Sequence, residues 1–111
     1  MNEQNLQQHI LLAFTGWRDV RIWRINAGGR PGESGGWVKG APPGHPDLTG
    51  FLAPHGRWFG LEVKVPTGEQ SDQQRAFQAA ADGRGALYAV VRSVEEATAA
   101  VRGWLDAEAT R

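Results

Sequence analysis

Apolar positions mark out the elements. Leu6, Ile10, Leu11, Ala13 and Phe14 recur at three- and four-residue steps, which predicts a helix over the first sixteen residues, closed by Gly16. Residues 19–26, DVRIWRIN, are β-branched and aromatic and read as a strand. Residues 27–46 hold seven glycines and four prolines, a loop long enough to point to function rather than mere connection. Alternation returns at 47–53, with Leu48 and Leu52 on one face and Asp47, Thr49 and Phe51 on the other. In 57–65, Phe59, Leu61, Val63 and Val65 oppose Trp58, Gly60, Glu62 and Lys64. The short turn Pro54-His55-Gly56 favours an antiparallel hairpin between these two strands. Ser71-x-x-Gln74 is a capping box that opens a helix to about Asp82, closed by Gly83 or Gly85. The run 86–91, ALYAVV, is apolar throughout, as in a strand buried on both faces. A second capping box, Ser93-x-x-Glu96, starts a last helix through Val94, Ala97, Val101, Trp104 and Leu105. The order is helix, three strands, helix, strand, helix: an α/β chain with one mixed sheet.

Composition narrows the function classes. With 111 residues and 12.1 kDa the chain reads as a single domain, 1–111, with one modest core. It has no cysteine, which excludes disulfides, zinc–thiolate sites and thiol nucleophiles together. The three histidines lie far apart in sequence, against a His-rich zinc cage. Formal net charge is zero, but its distribution is uneven: residues 18–92 carry +3 while both flanks are acidic. No apolar run approaches the ~20 residues of a membrane helix, and the polar start MNEQNLQQ does not resemble a signal peptide. The expected compartment is the cytoplasm, without membrane association.

Two motifs are decoys. Gly32-Glu33-Ser34-Gly35-Gly36 fits the G-x-S-x-G elbow of serine hydrolases, but that elbow needs a strand before it and a helix after it. Here it sits in a glycine-rich loop followed by Ala41-Pro42-Pro43. No G-x-x-x-x-G-K occurs, so a phosphate-binding P-loop is not supported. The stronger signal is Pro46-Asp47 at the start of one strand and Glu62-Val63-Lys64 in the next. Period two puts Glu62 and Lys64 on one face, and the hairpin lets Asp47 reach the same edge. Two carboxylates converging with a lysine offer oxygen ligands to Mg²⁺ or Mn²⁺ with an ammonium beside them, a set suited to phosphodiester hydrolysis. Taken alone, E-x-K describes the solvated outer face of a hairpin just as well.

The combination is more specific. Glu3 in the first helix, Arg24-Ile25-Asn26-Ala27-Gly28, Gly44-His45-Pro46-Asp47-Leu48, Glu62-Val63-Lys64 and Ser71-x-x-Gln74 follow in order over nearly the whole chain. In this the sequence resembles the VRR-NUC family of the PD-(D/E)XK nuclease superfamily. The resemblance implies a restriction-endonuclease-like core and a metal-dependent endonuclease leaving 5′-phosphate and 3′-hydroxyl ends. It implies that Asp47 and Glu62 hold the metal, helped by the Val63 carbonyl. Lys64 would contact the attacking water or the scissile phosphate. Glu3 would be an outer ligand or orient metal water, and Gln74 would brace the site. Gln73 stands next to Gln74, and the family's spacing of three from the serine favours Gln74. A glutamate in a first helical turn, such as Glu3, is also ordinary helix chemistry.

The basic stretch fits a phosphate-backbone track, with Arg21, Arg24, Asn26, Arg30 and Lys39 as the expected nucleic-acid contacts beside Arg18. Trp23, Trp58 and Trp104 read as core. Trp37 is open between core, stacking platform and dimer contact. His45 fits a turn residue that could touch metal water; His9 and His55 carry no signal. Small stand-alone members of the family look like dimeric resolvases of branched, Holliday-junction-like DNA, so a homodimer and a branched DNA substrate are expected. No small-molecule cofactor is expected. The rival readings are a nucleic-acid-binding module with a nuclease fold and no turnover, or a nicking subunit dependent on a helicase partner.

Overall fold

Four strands and three helices build one sheet with a helix pair on one face and a single helix on the other. The computed structural model describes residues 1–25 and 29–111, the side chains at 29–31 and 37–39 excepted. In chain order the elements are α1 (Glu3–Ala13), β1 (Val20–Arg24), β2 (Gly29–Pro31), β3 (Trp37–Lys39), β4 (Leu48–Leu52) and β5 (Arg57–Val63), then α2 (Asp72–Asp82), β6 (Leu87–Val91) and α3 (Val94–Ala109). The main sheet runs β1-β4-β5-β6; β2 and β3 form a separate two-stranded hairpin. β1–β4 and β4–β5 pair antiparallel, and β5–β6 pair parallel across the α2 crossover. The sheet is therefore mixed.

One face carries the core. Leu48 and Leu52 of β4, Phe59, Leu61 and Val63 of β5 and Val91 of β6 pack on Leu6, Ile10 and Phe14 of α1 and Ala97 and Val101 of α3. Each of the Val, Leu, Ile and Phe side chains is worth about 1.5–3 kcal/mol on burial, enough to fix the register of the strands on that face. A one-residue slip would turn the whole set outward. Gly50 is required here, because a Cβ would meet the Arg21 carbonyl oxygen and the Phe59 ring. Beyond the core, buried Glu108 takes Arg57 at 2.9 Å and Arg111 at 3.2 Å. Burial alone would raise its carboxyl, but the hydrogen bond and charge of Arg111, with Arg57, hold it below the usual range.

The opposite face carries the chemistry. Asp47 precedes Thr49 and Phe51 on it, Trp58, Gly60 and Glu62 lie opposite them, and Tyr88 lies beside Gly60. α2 packs on this face against β6, leaving the β1–β4 half open.

Several expectations need correction. The first helix ends at Ala13, three residues before Gly16 turns the chain at φ +85°. The glycine-rich stretch is not a plain loop, since β2 and β3 pair within it. β6 is covered on its faces by α2 and α3 yet lies at the sheet edge, because its only ladder partner among the described residues is β5. The box at Ser93 is half a box: Ser93 Oγ accepts the Glu96 N–H, but Glu96 Oε1 takes the Arg92 N–H instead of that of Ser93. Trp23 is not core; it is 40% exposed on the open half of the face. Trp58 is half-buried on that same face, outside the main core, whereas Trp104 packs against the core as expected.

Candidate functional site

Backbone register brings the two carboxylates together. Leu48 pairs with Leu61, so one further step along each antiparallel strand sets Asp47 against Glu62. Asp47 is fixed twice: its carbonyl accepts the Ile25 N–H at 2.9 Å and its Oδ2 accepts the Val63 N–H at 2.9 Å. That second bond aims the carboxylate across the end of β4 at the E-x-K strand. Pro46 holds the approach, seated over Gly60 where a Cβ would lie 2.5 Å from its Cγ. Gly44 takes φ +86° against the start of α2, where a Cβ would sit 2.2 Å from the Gln73 carbonyl oxygen. The G-x-P-D spacing is thus a packing requirement as well as a signature.

Glu62 is only 1% exposed, which rules out the solvated-hairpin reading of E-x-K. Gln74 Nε2 donates to its Oε2 at 3.0 Å, while Oε1 is buried with no partner among the described residues. Burial first, and then the adjacent Asp47 carboxylate, push Glu62 up to about 9; Lys64 pulls the other way. A buried carboxyl oxygen that lacks a donor is costly unless something positive meets it. Oxygen ligands beside such an orphaned atom fit a hard divalent cation. Among the described residues no three Asp, Glu or His side chains gather into a ligand group, so main-chain and water oxygens would complete the shell around Asp47 and Glu62.

Glu3 stands back from that pair. Its Oε2 accepts the Val65 N–H at 3.3 Å, which ties α1 to the residues following E-x-K. Gln74, not the exposed Gln73, reaches Glu62, and its own Oε1 accepts the Ser71 N–H at 2.8 Å to complete the capping box. Lys64 follows on the Glu62 face with its N–H held by the Val91 carbonyl.

Two positions near the site were not singled out from sequence. Arg92, directly after β6, donates from Nη1 to the carbonyls of Val65 at 2.8 Å and Gly68 at 2.7 Å. Val65 is thereby clamped through both its N–H and its C=O. The only sequence signal is a cation placed immediately after an apolar strand. Tyr88 sits next to Gly60 with a buried hydroxyl that has no partner among the described residues; burial and the Glu62 charge push its pKa up.

The proposed basic track is not one surface. Arg21 pairs with Phe51 and shares the carboxylate face, whereas Arg24 pairs with Leu48 on the core face. Both are exposed. Asn26 and the side chains of Arg30, Trp37 and Lys39 lie outside the described residues. His45 is a turn residue whose Nδ1–H donates to the Pro46 carbonyl at 2.9 Å. A cavity of about 480 Å³ lies between the end of α1 and β1, away from the carboxylates.

A solved structure described as a VRR_NUC domain is similar to this chain with a TM-score of 0.64 at 21% identity, covering 90% of this chain and 94% of that one. The chain has the VRR_NUC fold. At that identity the likeness fixes the architecture, and the chemistry rests on the residues. No family model matches the chain, and no curated protein does. The mixed sheet flanked by helices agrees with the VRR_NUC fold.

Proposed function

We propose that this chain is a divalent-cation-dependent nuclease that hydrolyses phosphodiester bonds in DNA. The observation that carries the reading is the Asp47–Glu62 pair, with one Glu62 oxygen buried and unpartnered on the face that holds Lys64. Asp47, Glu62 and the Val63 carbonyl would hold Mg²⁺ or Mn²⁺. When bound, such an ion lowers the pKa of water and offsets charge developing on the phosphate. Glu62 is kept oriented by Gln74, and Asp47 by the Val63 N–H, so neither must reorganise when substrate arrives. The Lys64 ammonium, beside Glu62, stabilises the attacking oxygen or the phosphate anion. Glu3 and Arg92 hold the backbone behind Lys64 through Val65. A single domain with one such site favours a homodimer for cutting both strands of branched DNA.

The test is cleavage of end-labelled branched, duplex and single-stranded DNA with Mg²⁺, Mn²⁺ or EDTA, by the native chain and by Asp47→Asn. Loss of a charge-stabilising group of this kind costs on the order of 10²–10³ in rate. Cleavage that persists in EDTA, or an Asp47→Asn variant of native activity, would refute the proposal. Sedimentation of the same preparation decides the assembly.

A further inference from the structure

Beyond the carboxylates, the same sheet face carries a row of aromatic rings that neither the core nor the site uses. Trp23 of β1 meets Phe51 of β4 edge-on at 5.5 Å between ring centroids. Phe51 pairs across the ladder with Trp58 of β5. Trp58 lies 6.3 Å from His45 and 6.4 Å from Phe77 of α2. The row thus runs from one sheet edge to the covering helix. At its β1 end it is open, with Trp23 40% and Phe51 46% exposed. At its α2 end His45, Trp58 and Phe77 line a cavity of about 390 Å³ with Arg84 among its walls, within the size range of pockets that take small planar ligands.

Two features select the occupant. First, the row is continuous with the candidate site: Phe51 and Asp47 share a strand face, and His45 precedes Pro46-Asp47 directly. Second, cations flank it, and no carboxylate stands among the walls of the His45/Phe77 cavity, although Asp19 accompanies Arg18 and Arg21 beside Phe51 at the open end. Exposed Arg21 is the ladder partner of Phe51 at one end, and Arg84 stands at the cavity at the other. Flat aromatic rings between cations suit a chain of bases on an anionic backbone. A paired duplex keeps its base faces stacked inside and has nothing to offer such a row.

We propose that the Trp23–Phe51–Trp58 row, with the His45/Phe77 cavity, binds unpaired nucleobases of a single-stranded segment next to the scissile phosphate. The inference rests on the nuclease reading above and names its substrate class more closely: nucleic acid with unpaired bases beside the cut. Recognition is by stacking, so it does not depend on base identity. Arg21 and Arg84 hold the backbone on either side.

The experiment is equilibrium binding, without catalytic metal, of three fluorescein-labelled oligodeoxynucleotides of equal length: a mixed-sequence single strand, the same backbone with abasic sites, and the matched duplex. The proteins are the native chain, Trp23→Ala, Phe51→Ala and Trp23→Phe. Each alanine variant should weaken binding of the base-bearing single strand on the order of tenfold and leave the abasic strand and the duplex unchanged. Trp23→Phe should retain most of the native affinity. Trp23 is 40% and Phe51 46% exposed and both lie outside the main core; circular dichroism verifies that each variant folds. Equal losses on base-bearing and abasic strands would overturn the proposal. So would unchanged affinity accompanied by loss of a dimer, which would make the row a contact between copies of the chain. A native protein that cleaves none of the branched, duplex and single-stranded DNAs with Mg²⁺ or Mn²⁺ would sink the nuclease reading itself. Native cleavage with indifferent variants would sink only the stacking row.

Discussion

Replacing Glu62 by glutamine exposes the electrostatic cost of the site. The carboxyl is 1% exposed, and burial with the Asp47 charge lifts it from 4.5 to about 9. Between those values the folded chain holds the Glu62 proton more tightly than the unfolded chain. Its contribution to stability is therefore complete below pH 4.5 and is lost as pH rises towards 9. Within that window each pH unit removes about 1.4 kcal/mol, so moving from pH 6 to pH 8 costs the metal-free protein about 3 kcal/mol. For a chain of this length that lowers the melting temperature on the order of 10 °C. Glu62→Gln keeps an acceptor for Gln74 Nε2 and places an amide where the orphaned oxygen stood, facing Asp47, with no proton to lose. The measurement is urea or thermal denaturation in EDTA from pH 5 to pH 9 for both proteins. The stability difference should widen in favour of the variant as pH rises. Adding Mn²⁺ at pH 8 should then raise the melting temperature of the native chain and not that of the variant. Parallel pH profiles would refute the buried-charge argument, and equal Mn²⁺ shifts would remove Glu62 from the ligand set.

Three further outcomes follow from contacts around the site. Arg92→Ala removes two short main-chain bonds and a longer one to Pro66 from a charged donor and should cost roughly 2–3 kcal/mol in denaturation; unchanged melting would mean that Val65 is held without it. Gly44→Ala meets both a positive φ and the Gln73 carbonyl, whereas Gly16→Ala meets only the positive φ, with nothing within 4 Å. The first should therefore destabilise by clearly more than the roughly 1–2 kcal/mol of the second, and equal losses would show that α2 does not rest on Gly44. Gln74→Glu preserves a capping residue but turns a donor towards Glu62 into a third carboxylate, so helix content by circular dichroism should hold while stability at pH 8 falls, on the order of 1–3 kcal/mol. Native stability at pH 8 would place Gln74 elsewhere.

Legibility followed how local each cause is. The strands β4 and β5 and the helix α2 were readable because alternation and the Ser71 box act within a few residues. The approach of Asp47 to Glu62 was readable too, since a short hairpin turn fixes register, whereas Gln74 was expected beside them only from the family resemblance. The burial of Glu62 was not. Nothing in E-x-K states that α2 and Pro46 close over the strand, and that closure turns an ordinary surface pattern into a strained one. Trp23 misled for a related reason: a tryptophan in a strand reads as core, but α2 stops short of β1 and leaves it in solvent. The half-box at Ser93 turned on a single competition, because Glu96 found the Arg92 N–H one residue earlier. Arg92 itself was invisible, as its three carbonyl partners lie more than twenty residues away.

Gln74 shows how closely fold and chemistry are joined in so short a chain. Its backbone N–H is capped by Ser71 Oγ at 3.1 Å, its Oε1 takes the Ser71 N–H, and its Nε2 is left to face Glu62. An amide is the one group in a capping box that accepts from the cap and donates in the opposite direction. Glutamate at the same position would close the box equally well, yet it has no donor for a buried carboxylate and would add like charge beside it. Local helix propensity therefore cannot choose between the two, and the site does. The same helix start rests on Gly44, which leads through His45 and Pro46 to Asp47. The segment that aims one carboxylate is thus packed against the helix turn that orients the other. Any displacement of α2 moves both partners of the pair, so stability of that turn and geometry of the site are a single property.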